Sequence, residues 1–94
     1  MRVFDTVADY VAEKGKEIGV SEWVQIDQDR VNKFADATGD HQWIHIDPER
    51  TQKELGIGTI AHGYLTLSLL PYLMGKISTV KSATRGINYG SNQV

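Results

Sequence analysis

Ninety-four residues confine the chain to one small domain. A formal net charge of -2 offers no electrostatic reason to bind nucleic acid or an anionic membrane, and the absence of cysteine excludes disulfides and thiolate chemistry. The opening Met1-Arg2-Val3-Phe4-Asp5 lacks a signal peptide's apolar core, and the longest apolar run, residues 65–74, is too short to span a bilayer, so a cytoplasmic protein without a membrane partner is expected.

Across residues 3–16, Phe4, Val7, Ala8 and Val11 recur at helical spacing, with Asp9, Glu13 and Lys14 elsewhere on the wheel. This predicts an amphipathic packing helix that decays at Gly15 and Gly19. Residues 21–26 alternate as a strand does, Trp23 and Gln25 on one face and Val24 and Ile26 on the other. Asp27 has the character of an N-cap for a helix bearing Val31, Phe34, Ala35 and Thr38 on one side. Gly39 ends that helix, because glycine accepts the left-handed turn that closes one. Asp47-Pro48 starts another, fading at Leu55-Gly56. Asp40 and His45 therefore stand at the two ends of a short loop between helices, and loops held on rigid supports often carry reactive groups.

Residues 56–63 contain three glycines in eight positions. They predict a loop that turns sharply or lies close to another group. It is not a phosphate-binding loop, since no Gly-Lys-Ser/Thr follows. Residues 64–74 are apolar nearly all round, which predicts a helix buried on every side, kinked at Pro71 and ended at Gly75-Lys76. Val80 and residues 84–89 are the next strand candidates, interrupted at Gly90-Ser91-Asn92. Two or three strands are too few to wrap a wholly apolar helix. Either a second chain completes the core or further strands lie beyond Val94, and the second alternative is favoured.

A carboxylate and an imidazole converging on one spot, as Asp40 and His45 can, are able to hold a water, polarise it and move protons. Taken alone the pair is a weak signal, because an aspartate after glycine is often a turn or capping residue. His62-Gly63 strengthens it. The N-terminus of a helix presents unpaired N–H groups and partial positive charge, suited to an oxygen that becomes negative in a reaction, and Gly63 has no side chain to obstruct its amide. The bland alternative is a glycine chosen only for packing. His41, His45, His62 and Asp40 also supply metal-ligand types, but no His-Glu-x-x-His helix exists, so neither a metal nor a cofactor is expected.

Phe34-Ala35-Asp36-Ala37-Thr38-Gly39-Asp40, then His45, then Ile60-Ala61-His62-Gly63, resembles the MaoC-like dehydratase family. That family includes the (R)-specific enoyl-CoA hydratases and the nodulation N-type proteins. The run Gly39-Asp40-His41-Gln42-Trp43-Ile44-His45 and the segment Ile87-Asn88-Tyr89-Gly90 are most similar to the mycobacterial (R)-specific hydratases. The resemblance covers nearly the whole chain.

It implies an α+β hot-dog fold: an antiparallel sheet around a long central helix, here residues 63–75, in a single domain over 1–94 whose C-terminal strands lie beyond the chain. It implies a catalytic dyad of Asp40 and His45, and a thioester carbonyl received by the amide of Gly63. The substrate is expected to be an acyl-CoA or acyl carrier protein thioester and the assembly a homodimer. The acyl chain is expected along Leu65, Leu69 and Tyr72, with His62 and Tyr64 among the substrate contacts. Gln42 and Trp43 occupy positions where many members have Asn-Pro, and Pro71 falls where some carry a serine. The implied reaction is (R)-specific hydration of a trans-2-enoyl thioester, or its reverse. The competitors are a hot-dog thioesterase and a non-catalytic acyl-binding fragment.

Overall fold

Caps set the helix boundaries of this chain, and two short strands complete an α+β composition. The order is β1 (Arg2–Phe4), α1 (Val7–Val11), α2 (Gln28–Thr38), α3 (Trp43–Ile46), α4 (Pro48–Leu55), α5 (Gly63–Ser68), α6 (Leu70–Ile77) and β2 (Ser78–Val80). The computed structural model describes residues 1–94. They form two units, residues 1–21 with 73–94 and residues 22–72. No helix is long and apolar enough to cross a membrane.

In the unit of residues 22–72, the Asp27 carboxylate accepts from the Arg30 amide at 2.9 Å and starts α2. Gly39, at φ 81°, closes it by donating to Ala35 O at 2.8 Å. Both ends are as predicted. Asp47 ends α3, its amide donating to Trp43 O, and starts α4, its carboxylate accepting from the Arg50 amide. Pro48 supplies the first turn of α4, and Gly56 ends it in the left-handed conformation. Val31 and Ala35, one turn apart on α2, are buried together with Leu65 of α5. Thr51 is fully buried, its hydroxyl donating to Asp47 O at 2.7 Å. α3 packs against both α2 and α4, so the segment from Asp40 to His45 is held on two helices.

Four expectations change here. The segment carrying His45 is not loop throughout but the single-turn helix α3. Residues 21–26 form no ladder, and Trp23 is fully exposed; alternation suits a pleat but does not by itself provide a partner strand. The apolar run is not buried on every side. Only Leu65 is enclosed, while Tyr64, Leu67, Leu70 and Tyr72 are exposed. Nor is it one long helix. It is divided at Leu69, whose amide is shared between Leu65 O and Thr66 O. Two residues later Pro71 has no N–H to donate back into the preceding turn.

In the other unit, residues 2–4, of which 3 and 4 were expected to be helical, extend as β1 and pair in parallel with β2, Phe4 opposite Val80. The Thr6 hydroxyl accepts from the Asp9 amide at 3.2 Å, so α1 begins only after it. Bonds from Glu13 to Tyr10 O and from Lys14 to Val11 O tighten the helix end before Gly15 turns left-handed. Phe4 is buried, with Tyr10 edge-on to its ring at 5.3 Å. Val7 and Val11, predicted to face a core, are exposed. The sheet is two-stranded and parallel where an antiparallel one was expected, and residues 84–89 pair with nothing in it.

Candidate active site

The site is assembled where the end of α2, the turn of α3 and the start of α5 meet. Gly39 delivers the chain to Asp40, whose side chain is 47% exposed. His45, in α3, directs Nδ1 at the carbonyl of Ile60, 2.6 Å away. A carbonyl oxygen can only accept, so Nδ1 carries the proton and Nε2 presents its lone pair. That Nε2 lies 3.9 Å from Asp40 Oδ2. The separation is too long for a direct hydrogen bond, and both atoms are acceptors when Asp40 is ionised.

His62, expected as a substrate contact, is buried, with 3% of its side chain exposed. Its ring stacks on that of His45 with centroids 3.8 Å apart and planes 20° apart, and Phe34 lies against it at 4.8 Å. Its Nε2 is 3.0 Å from the carbonyl of Asp40, which makes Nε2 the donor. Its Nδ1 is buried without a partner. The side chain thus fastens the backbone of Asp40 and the ring face of His45.

Asp40, His45 and His62 bring their ligand atoms within 4.8 Å of one another, a grouping with the dimensions of a metal site. The hydrogen bonding does not fit one. Nε2 of His62 is protonated and turned to a carbonyl, and its Nδ1 is buried, so only Asp40 and His45 keep free lone pairs directed into the space between them. His41, the remaining histidine, pairs with Asp36 at 2.9 Å on the surface.

Gly63 follows His62 directly as the first residue of α5, so its amide is one of those a helix leaves without an internal partner. A β-carbon there would meet nothing within 4 Å. Of the other expected substrate-contact residues, Leu65 is core and Leu69 half-buried, whereas Tyr64 and Tyr72 are exposed, the latter with Arg30 6.0 Å from its ring.

Two polar groups that the sequence did not single out join these pieces. Gln28, the first residue of α2, donates from Nε2 to His45 O at 2.8 Å and to Asn32 Oδ1 at 2.9 Å. The Thr59 hydroxyl donates to Gln28 Oε1. The amide of Ile60 donates to Ile44 O at 3.0 Å. No local pattern marks Gln28 for the site, since the partners that tie it there, His45 and Thr59, lie 17 and 31 residues away.

The sequence profile of the family described as "MaoC like domain" matches residues 9–94. The chain is 55% identical over 94 residues, all of its length, to 3-hydroxyacyl-thioester dehydratase Z of Mycobacterium tuberculosis, and equally so to the protein of that name from Mycobacterium bovis. It is 46% identical over 91 residues, 95% of its length, to nodulation protein N of Rhizobium leguminosarum bv. viciae. The chain spans 62% of the mycobacterial relatives and 56% of the rhizobial one.

Proposed function

The chain belongs to the MaoC-like domain family, and on that premise we propose that its site hydrates trans-2-enoyl thioesters to (R)-3-hydroxyacyl thioesters, or catalyses the reverse dehydration. The observation that carries this is the pair of acceptors at 3.9 Å, Asp40 Oδ2 and His45 Nε2. Two facing acceptors favour a molecule that donates to both, and water is the smallest that does. Held by its two hydrogens, it keeps an oxygen lone pair directed outward, ready to attack carbon.

In the proposed addition, the water oxygen bonds to C3 as one of its protons passes to the dyad, with Asp40 the preferred acceptor. The C2–C3 double-bond electrons move toward C1 and leave an enolate-like oxygen. The amide of Gly63 receives that oxygen, a contact that contributes a few kcal/mol in a water-poor site. A proton delivered to C2 completes the product. The (R) configuration and the acyl-CoA or acyl carrier protein thioester follow the resemblance to (R)-specific hydratases, and the name of the mycobacterial relatives supports a thioester substrate. We take the fold to be the hot-dog fold of these hydratases and the working form to be a cytoplasmic homodimer. The exposed apolar side chains of α5 and α6 support an assembly that covers them.

Hydration of crotonyl-CoA, followed by the loss of enone absorbance, tests this. Asp40→Asn preserves shape and removes the base, and its rate is expected to fall by roughly 100-fold or more. Wild-type rates in that variant would take Asp40 out of the mechanism, and release of free thiol would indicate thioester hydrolysis in place of hydration.

A further inference from the structure

We propose that Gln28 is a positioning residue that fixes the tautomer and setting of His45 by joining the two sides of the His45–Ile60 contact. His45 presents a lone pair to the reacting water only while Nδ1–H is held by Ile60 O. That carbonyl belongs to the segment between α4 and α5, where Gly56 and Gly58 leave the backbone wide conformational freedom. Outside bonds set it. One is the Ile60 amide to Ile44 O; another is the Thr59 hydroxyl to Gln28.

The orientation of the Gln28 amide follows from its partners. His45 O is a carbonyl and can only accept, so Nε2 faces it, and the second N–H goes to Asn32. Oε1 is thereby turned to Thr59 and accepts its hydroxyl. One planar amide, rooted in the first turn of α2 directly after the Asp27 cap, spans the peptide of His45 and the residue preceding Ile60. It sets the distance across which the imidazole meets its carbonyl.

The catalytic consequence rests on the hydratase reading above; the tautomer does not. Gln28→Met keeps the length and loses the hydrogen bonds, and Thr59→Val keeps the shape and loses the donor. In the intact protein, long-range ¹H–¹⁵N spectra should show the Nδ1–H form of His45 in the wild type and a mixture of tautomers in each variant. For crotonyl-CoA hydration, kcat should fall about tenfold to a hundredfold with KM within about twofold. The double variant should be no worse than the poorer single one, since both break one link. If Gln28→Met does not fold, Thr59→Val decides on the same readouts. A wild-type tautomer in the folded variants overturns the proposal whether or not the protein hydrates crotonyl-CoA. A wild type with no hydration overturns only the hydratase reading, while unchanged kcat with a changed tautomer overturns the link from Gln28 to catalysis.

Discussion

A buried histidine between two groups of a reaction centre can serve as a substrate contact or as a brace, and kinetics separate the two. His62 donates to Asp40 O and stacks on His45, with almost none of its side chain accessible. His62→Phe keeps an aromatic face and loses the donor. The lost hydrogen bond is expected to cost about 1 kcal/mol of stability by urea unfolding. If His62 acts as a brace, kcat on crotonyl-CoA should fall while KM holds. A raised KM at constant kcat would return His62 to the substrate contacts. At this scale the sequence was informative about residue identity. The residues that meet here, Asp40, His45 and His62, were each singled out in the sequence, because glycine punctuation and the Asp-x₄-His spacing are local signals. The stacking of His62 on His45 was not legible, since stacking and burial depend on how distant segments meet. Gln28 was invisible for the same reason.

Helix ends show the same division between local and distant causes, and two glycines turn it into a test. Gly39 caps α2 at φ 81°, where a β-carbon meets no neighbour. The whole cost of Gly39→Ala is therefore conformational, about 1 kcal/mol or somewhat more. Gly63 opens α5 at an ordinary φ, also with open space around its missing β-carbon. Gly63→Ala should leave stability within about 0.5 kcal/mol of wild type, yet place a methyl group beside the amide assigned to the thioester oxygen. Chemical unfolding and hydration rates measured together should show Gly39→Ala less stable and Gly63→Ala stable but slow. A fast Gly63→Ala would remove that amide from the site. The caps at Asp27, Gly39, Asp47-Pro48 and Gly56 were legible because each is decided within a few residues. Strands were not. A strand exists through its partner, and alternation at 21–26 says nothing of whether one is present. Conversely, Phe4 fits a helical spacing with Val7 and Val11, but pairing with Val80 and the Thr6 cap win.

For the molecule as a whole, the unusual quantity is apolar surface. α5 and α6 leave Tyr64, Leu67, Leu70 and Tyr72 between 42% and 78% exposed, and a sequence without a polar face cannot turn one to solvent. Composition predicted burial of this run because it measures how much hydrophobic surface must be covered, not what covers it. If a second copy supplies the cover, the protein should sediment as a dimer whose proportion falls on dilution. Leu67 and Leu70 are each about half exposed, so exchanging both for glutamine removes roughly 2–3 kcal/mol of burial from such an interface. That weakens association by about thirtyfold to 150-fold. Sedimentation across a concentration series should therefore find Leu67→Gln/Leu70→Gln monomeric where the wild type is paired. Equal dimerisation of both proteins would put the interface elsewhere, and a monomeric wild type would remove the homodimer.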